Sequence, residues 1–211
     1  MRTSSYYPAW KNALSYMLLL NRNIKILEIG CGAGQFANLL FDNGFVNYMG
    51  FDYAEEGVKL SRQNNPEHQD DFFVADAFTT PEVASRQGLI ICFEVLEHID
   101  NDIELLNRIQ KGTKMLLSVP NFDDPYHVRF FSSEKEVYDR YSETVQIYDV
   151  NKFELRPGYC LYYVIGEKNK SNYNIAEALV NIYSKILSEL FIMSLVIVYF
   201  NCLLETLKNF V

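Results

Sequence analysis

The sequence predicts an α/β protein with an open, mostly parallel seven-stranded sheet, helices on both faces, an antiparallel terminal hairpin and a helical C-terminal appendage. Two observations carry this prediction. Short β-type runs alternate with helical stretches from residue 24 onward, and nearly every run ends in a polar residue or a glycine turn. Further along, two long β-type runs flank Arg156-Pro157-Gly158, which is the pattern of a hairpin.

Length and composition set the domain count. The chain has 211 residues, of which 49% are hydrophobic and 22% charged, so it is globular and long enough for one sizeable core. We expect an N-terminal helical cap over residues 1–23, a main domain over 24–170 and a helical C-terminal appendage over 171–211.

The elements of the first half alternate regularly. Pro8 suits the first turn of the first helix, and Gly44 suits the end of the second. The predicted order is a helix over 6–20, a strand over 24–29, a helix over 35–43, a strand over 46–51, a helix over 54–64, and strands over 72–75 and 89–93.

The second half continues the pattern and closes on the hairpin. We expect a helix over 102–110 with Gly112 as its left-handed cap, and a strand over 115–119. Ser133 and Glu136 form a capping-box pattern that opens a helix reaching residue 141. Strands over 145–155 and 159–165 then form the hairpin.

Charge is spread unevenly along the chain. Residues 28–124 carry 17 acids against 6 bases, whereas residues 1–27 carry four bases and no acid. An acidic body repels a phosphate backbone, so nucleic acid is a disfavoured substrate.

The cysteines and the apolar segments indicate the compartment. Cys31, Cys92, Cys160 and Cys202 form no CxxC pair, which predicts buried thiols in a reducing, cytoplasmic setting and no cysteine zinc site.

The apolar stretch 190–204 is shorter than the roughly 20 residues of a membrane span. It predicts a buried helix, or a homodimer through the C-terminal helices, and no transmembrane span.

Polar residues at the strand ends predict the ligand site, because open α/β sheets bind ligands at the carboxyl ends of their strands. Gly30, Gly32 and Gly34 follow the first strand, and glycines there let backbone approach a ligand closely. A carboxylate ending the second strand, Asp52, can accept hydrogen bonds from both hydroxyls of a ribose. A dinucleotide fingerprint would need its third glycine where this chain has Gln35. The acidic strand ends, which include Glu28, suit a cationic nucleoside.

Five motifs in order resemble a known family. Residues 26–34, Ile-Leu-Glu-Ile-Gly-Cys-Gly-Ala-Gly, resemble the first motif of the class I S-adenosylmethionine-dependent methyltransferases, whose fold is Rossmann-like. Asp52 matches their ribose-binding acid, and residues 74–77, 93–98 and 117–121 match the later motifs. The resemblance covers residues 24–121 and extends by topology to about residue 166. It implies cofactor contacts from Glu28, Gly30, Gly32, Gly34, Asp52, Tyr53, Asp76, Ala77, Phe93 and Glu94.

Within that class, Glu94-Val95-Leu96-Glu97-His98-Ile99 and Val119-Pro120-Asn121 are similar to the branch of ubiquinone-biosynthesis (type 11) and type 12 small-molecule methyltransferases. The resemblance implies methyl transfer to an oxygen or nitrogen of a small-molecule acceptor. If the acceptor must lose a proton, His98 or His127 is the candidate catalytic base, because an unperturbed imidazole titrates near pH 6.5.

A metal site is a further expectation. Glu94, Glu97, His98 and His127 resemble the ligands that hold a divalent metal in small-RNA terminal-ribose methyltransferases, and such oxygen and nitrogen donors suit Mg, Mn or Zn. Glu94, Glu97 and His98 share a face only if a helix begins there. Three other functions stay open: a metal-dependent RNA terminal-ribose methyltransferase, a non-catalytic cofactor-binding interaction protein, and a membrane-associated enzyme whose C-terminal apolar stretch partitions with lipid.

Overall fold

A computed structural model describes residues 4–85 and 88–169 of the chain. Two short 3-10 helices, Pro66–Asp71 and Leu96–His98, accompany the main elements. In chain order the helices and strands are α1 (Tyr7–Met17), β1 (Ile26–Ile29), α2 (Gln35–Asp42), β2 (Tyr48–Asp52), α3 (Glu55–Asn64), β3 (Phe72–Val74), α4 (Glu82–Ser85), β4 (Leu89–Phe93), α5 (Asp102–Arg108), β5 (Lys114–Pro120), α6 (Glu134–Tyr141), β6 (Val145–Arg156) and β7 (Tyr159–Lys168).

The strands form one seven-stranded sheet in the order β3-β2-β1-β4-β5-β7-β6. The pairs within β3-β2-β1-β4-β5 are parallel, whereas β7 pairs antiparallel with both β5 and β6. The predicted parallel sheet with an antiparallel terminal hairpin is therefore confirmed. The predicted C-terminal appendage over 171–211, with its apolar stretch, lies outside the described residues.

Helices pack on both faces of the sheet because successive strand residues point to opposite sides. On β1, Ile26 lies in a core with buried residues of α1 and α2, while Leu27 and Ile29 lie in a second core with α5 and α6. The Tyr163 hydroxyl on β7 donates to the Ala9 carbonyl of α1 at 2.8 Å. This bond fastens the N-terminal helix to the sheet.

One helix end and one short helix differ from the prediction. The α5 helix ends at Arg108 and the next residue, Ile109, is already extended, so Gly112 does not cap it. Instead, Gly112 adopts φ +79° in the turn before β5, where its N–H donates to the Lys168 carbonyl at 2.9 Å. The short α4 was not predicted, because four residues are too few to show helical periodicity.

The capping box of α6 is present, but the hydrogen bond accepted by the Glu136 side chain comes from a different residue than in the standard motif. The Ser133 Oγ accepts from the Glu136 N–H at 3.3 Å, as predicted. The Glu136 carboxylate accepts from the N–H of Ser132 at 2.7 Å rather than from Ser133. Both bonds satisfy donors that a helix N-terminus otherwise leaves free.

The three cysteines in the described part of the chain, Cys31, Cys92 and Cys160, are free and buried, as predicted; Cys202 lies outside it. Among residues 4–85 and 88–169, every helix is too short or too polar to cross a bilayer.

Candidate functional site

The loop after β1 presents backbone to open space at the carboxyl edge of the sheet. Gly30, Gly32 and Gly34 all have positive φ, at +73°, +49° and +68°. A Cβ on Gly30 would lie 2.3 Å from Cγ2 of Val95. Only glycine fits at this position, because the backbone of the loop passes close to Val95 in the segment after β4. A Cβ on Gly32 would meet nothing within 4 Å. The loop is thus anchored at Gly30 and open at Gly32, as a cradle for a ligand requires.

Asp52 at the end of β2 is tied to this loop. Its Oδ2 accepts from the Gly32 N–H and its Oδ1 from the Ala54 N–H, both at 2.9 Å. Ala54, not Asp52, is the residue that caps α3. A carboxylate has about four acceptor positions, so two remain for ligand hydroxyls. Asp52 is therefore fixed in place beside the open Gly32 backbone.

The neighbouring strand β3 brings the predicted adenine-side residues to the same edge. The Ala75 N–H donates to the Asp52 carbonyl at 3.0 Å, which fixes the end of β3 beside Asp52. Asp76 is exposed, and its Oδ1 accepts from the Phe78 N–H at 2.7 Å in a turn. Ala77 is partly buried against the sheet, whereas Tyr53 is 85% exposed and free to cover a ligand.

Glu28 is buried and faces a tyrosine. The Tyr48 hydroxyl donates to its Oε2 at 2.5 Å. Burial raises the pKa of Glu28 to about 8, against the opposing effect of the Tyr48 hydrogen bond, and Asp52 adds to the rise. The carboxyl is therefore largely protonated at pH 7, which differs from the negative charge that the sequence analysis assigned to it. Tyr48 was not foreseen as its partner, because no motif contains it.

Glu94 follows β4 in a strained conformation. Its φ of +54° is the one positive value at a non-glycine residue in the described part of the chain. Such strain persists where surrounding contacts hold it and is common at functional sites. Here the Ser118 Oγ accepts from the Glu94 N–H at 3.1 Å and donates to its Oε1 at 2.8 Å. The ring of Phe93, which was expected to contact the cofactor, packs on other rings: its centroid lies 4.9 Å from that of Phe36 and 5.6 Å from that of Tyr163.

Three of the four predicted metal ligands lie together. One donor atom from each of Glu97, His98 and His127 lies within 4.8 Å of the other two. Glu94 is outside this group, because Leu96–His98 is a 3-10 turn and the α-helical face expected to gather all four residues does not form. Both carboxylate oxygens of Glu97 are buried without a hydrogen-bond partner among the described residues. Burial, reinforced by Glu94, raises the pKa of Glu97.

The two histidines share one hydrogen-bond arrangement. Nδ1 of His98 lies 3.0 Å from the Tyr126 carbonyl oxygen, and Nδ1 of His127 lies 3.1 Å from that of Phe122. A carbonyl only accepts, so each Nδ1 carries the proton and each Nε2 of the neutral ring has a free lone pair. The ring centroids are 4.8 Å apart. Two basic nitrogens therefore lie side by side next to Glu97.

The loop after β5 is fixed to the segment that carries Glu97 and His98. The Val128 N–H donates to the Glu97 carbonyl at 2.8 Å. Arg129 donates to the carbonyls of Leu96, Ile99 and Asp100, and it also lies 3.3 Å from the Asp102 carboxylate. These bonds hold His127 against His98.

Tyr6, at the N-terminal end of α1, is a further residue near Glu94 and Glu97. The tyrosine is partly buried and stacks on Trp10, with centroids 6.2 Å apart. Burial raises its pKa to about 12, and Glu94, Glu97 and Asp124 add to the rise while Arg156 opposes it. The Tyr6 hydroxyl is therefore within electrostatic range of Glu94 and Glu97, which follow β4, and of Arg156 on the hairpin. The N-terminal segment contributes to this site through Tyr6.

The geometry defines a class of protein. A glycine loop, an acid at the end of β2 and a mostly parallel sheet with a terminal hairpin meet at one carboxyl edge, which is where open α/β sheets bind their ligands. Residues 4–150 match the family model described as a methyltransferase domain. The chain belongs to this methyltransferase family and is a class I S-adenosylmethionine-dependent methyltransferase with a Rossmann-like fold.

Solved structures share the fold at low sequence identity. A magnesium protoporphyrin IX methyltransferase from Synechocystis with bound S-adenosylhomocysteine has a TM-score of 0.63 at 15% identity, covering 78% of this chain and 84% of that one. The cyclase SpnF gives 0.65 at 12% identity, with 81% and 86% covered. A methyltransferase complex with the Trm112 activator from Haloferax volcanii gives 0.62 at 15% identity, with 75% and 87% covered. A comparison with curated protein sequences finds no match.

Proposed function

We propose that the protein transfers the methyl group of S-adenosylmethionine to an oxygen or nitrogen of a small-molecule acceptor in the cytoplasm, with His127 or His98 as the base. The observation that carries this proposal is the orientation of the two rings: each Nδ1 donates to a backbone carbonyl, which leaves Nε2 as the acceptor, and Nε2 of His98 lies 4.0 Å from Oε1 of Glu97. His98 and His127 lie in the segments that follow β4 and β5, at the carboxyl edge of the sheet where the strained Glu94 also lies. The acidic stretch 28–124 argues against a nucleic-acid acceptor.

The residues at the carboxyl edge fit S-adenosylmethionine, and each would contact a different part of it. Asp52 would hold the ribose hydroxyls and the open backbone at Gly32 would border the methionine part, with Tyr53, Asp76 and Ala77 on the adenine side. The cofactor supplies a methyl group on a sulfonium. When bound, it would supply this methyl group for transfer to the acceptor oxygen or nitrogen, with S-adenosylhomocysteine as the leaving group. The acceptor proton passes to the Nε2 of His127 or His98. Alignment of the acceptor with the methyl group would supply several kcal/mol of the barrier.

The test is a product assay with histidine variants. The full chain is incubated with S-adenosylmethionine and a panel of phenols, alcohols and amines, and methylated products are identified by mass spectrometry. His127→Gln or His98→Gln should lower kcat by roughly 10²- to 10⁴-fold on the acceptor that reacts.

The matched control is the third histidine. His68→Gln should leave the rate unchanged, because His68 stacks on Phe41 at 3.7 Å and bonds Asp71. Unchanged rates in both of the other histidine variants would refute the base assignment. Binding of S-adenosylhomocysteine without methylation of any acceptor would favour a non-catalytic interaction protein.

A divalent metal is a second candidate, favoured by the unpartnered carboxylate of Glu97. One carboxylate and two imidazole nitrogens within 4.8 Å suit Mg, Mn or Zn, with Zn bonds near 2.1 Å. Two donors with such bonds to one tetrahedral ion lie about 3.4 Å apart, so the side chains would have to approach one another by about 1 Å to complete the site. A metal bound here would polarise the acceptor oxygen, and it would also support the RNA terminal-ribose alternative.

Calorimetry with each metal on the chelator-treated protein tests this candidate. Glu97→Gln should weaken metal binding at least tenfold, whereas Glu104→Gln, an exposed acid on α5, should not. Equal metal affinity in the wild-type protein and the Glu97 variant would eliminate the site, and with it the metal-dependent RNA reaction.

A further inference from the structure

A row of rings connects the histidine pair to an arginine on the terminal hairpin. From His98 the row passes to His127 at 4.8 Å, to Phe122 at 5.7 Å and to Tyr159 at 5.2 Å between ring centroids. It ends at Arg156, whose guanidinium carbon lies 3.8 Å from the Tyr159 centroid. These are contact distances for ring pairs and for a cation over a ring. The five side chains, named here the ring row, form one continuous surface.

The ring row is accessible to a ligand. His98, Tyr159 and Arg156 are exposed, and Phe122 and His127 are partly buried. Aromatic faces that stay in contact with water at the edge of a catalytic site are available for stacking by a planar molecule.

The two halves of the ring row come from different elements and are clamped together. Asn121 begins the loop that carries Phe122 and His127, and its side-chain amide donates to the Gly158 carbonyl at 3.2 Å. Its Oδ1 accepts from the Cys160 N–H at 2.6 Å. Gly158 and Cys160 lie on either side of Tyr159, so the Asn121 amide fixes Tyr159 of the hairpin next to Phe122 of the loop.

The charge of Arg156 has no acidic partner in the described part of the chain. Within residues 4–85 and 88–169 it forms no ion pair. The neighbouring acid Glu154 instead accepts from the Gly158 N–H at 3.2 Å. The contacts from Arg156 through Tyr159 and Phe122 to His127 place the arginine on the same surface as the histidines. An anionic group on a ligand would find its partner here, since a guanidinium matches a carboxylate in a two-point hydrogen bond.

We propose that the ring row is the acceptor-binding wall, and that it selects a planar aromatic acceptor that carries an anionic group remote from its methyl-accepting atom. The ring system stacks on Tyr159 with its edge against Phe122, whose ring is inclined by 50° to that of Tyr159, the anion contacts Arg156, and the hydroxyl or amine is directed toward His127. This inference rests on the proposed function, because it names the acceptor class of that site.

The test compares two probes that differ by one carboxylate. 6-Hydroxy-2-naphthoate and 2-naphthol are titrated by calorimetry into the full chain saturated with S-adenosylhomocysteine. The naphthoate should bind roughly tenfold or more tightly than the naphthol. Arg156→Gln should abolish this preference, Tyr159→Leu should weaken both probes, and Lys152→Gln, an exposed cation on the same strand, should change neither.

Each result has a defined meaning. Equal binding of the two probes, an unchanged preference in Arg156→Gln, or no binding of either probe would overturn the proposed acceptor class. Binding of S-adenosylhomocysteine is measured in the same series. Its absence would overturn the cofactor site, whereas intact cofactor binding without probe discrimination would overturn the ring-row proposal alone.

Discussion

Replacing Asp52 tests the cofactor site most sharply, because this residue joins the β1 loop to the end of β2. Its two oxygens already accept from the Gly32 and Ala54 N–H groups at 2.9 Å. The remaining acceptor positions would take two ribose hydroxyls, and hydrogen bonds to a charged group contribute about 1.5–3 kcal/mol each. Asp52→Ala should therefore weaken S-adenosylhomocysteine binding by roughly 3 kcal/mol or more, which is at least about 100-fold in Kd.

Calorimetry measures this loss, and two variants separate its causes. Asp52→Asn keeps one acceptor oxygen for the Gly32 N–H but loses the charge, so its Kd should fall between those of the wild-type protein and Asp52→Ala. Glu55→Gln removes an exposed charge in the first turn of α3 and should leave Kd unchanged. A change below about threefold in a folded Asp52→Ala protein would refute the ribose assignment.

Three further predictions concern stability. Gly30→Ala should cost about 2–4 kcal/mol in chemical denaturation, since the new Cβ meets Val95 at 2.3 Å with φ at +73°; a cost below 1 kcal/mol would contradict this. The free energy of unfolding should fall as pH rises from about 4.5 to about 8, because folded Glu28 keeps a proton that the unfolded chain releases, and Glu28→Gln should flatten that slope. Asp102→Ala removes a buried carboxylate that Arg129 and Arg140 contact and should cost about 3 kcal/mol, whereas the exposed Asp139→Asn should cost at most about 1 kcal/mol.

Much of the sheet could be predicted from the sequence, because its signals are local. The run from residue 26 to 34 combines a buried strand with a glycine turn, and the hairpin has a proline-glycine turn between two long β-type runs. The strand ends that carry Asp52 and Glu94 follow from the same alternation. The carboxyl-edge location of the site is thus encoded in the order of the elements.

Contacts between distant segments could not be predicted. The partner of Glu28 is Tyr48, 20 residues away, and their hydrogen bond follows from the parallel register of β1 and β2. The metal set was expected on an α-helical turn, but the positive φ of Glu94 and the 3-10 turn after it separate that acid from the other ligands. The ring row depends on Asn121, which joins a loop to a hairpin 39 residues further on.

A crystal structure of the protein with S-adenosylhomocysteine tests the central claim most directly. We predict that the ribose hydroxyls lie within about 3.2 Å of the Asp52 carboxylate, with the homocysteine part over the open backbone at Gly32 and the sulfur directed toward His127. A nucleoside bound elsewhere on the protein, or the absence of bound nucleoside from crystals grown at saturating concentration, would contradict the account.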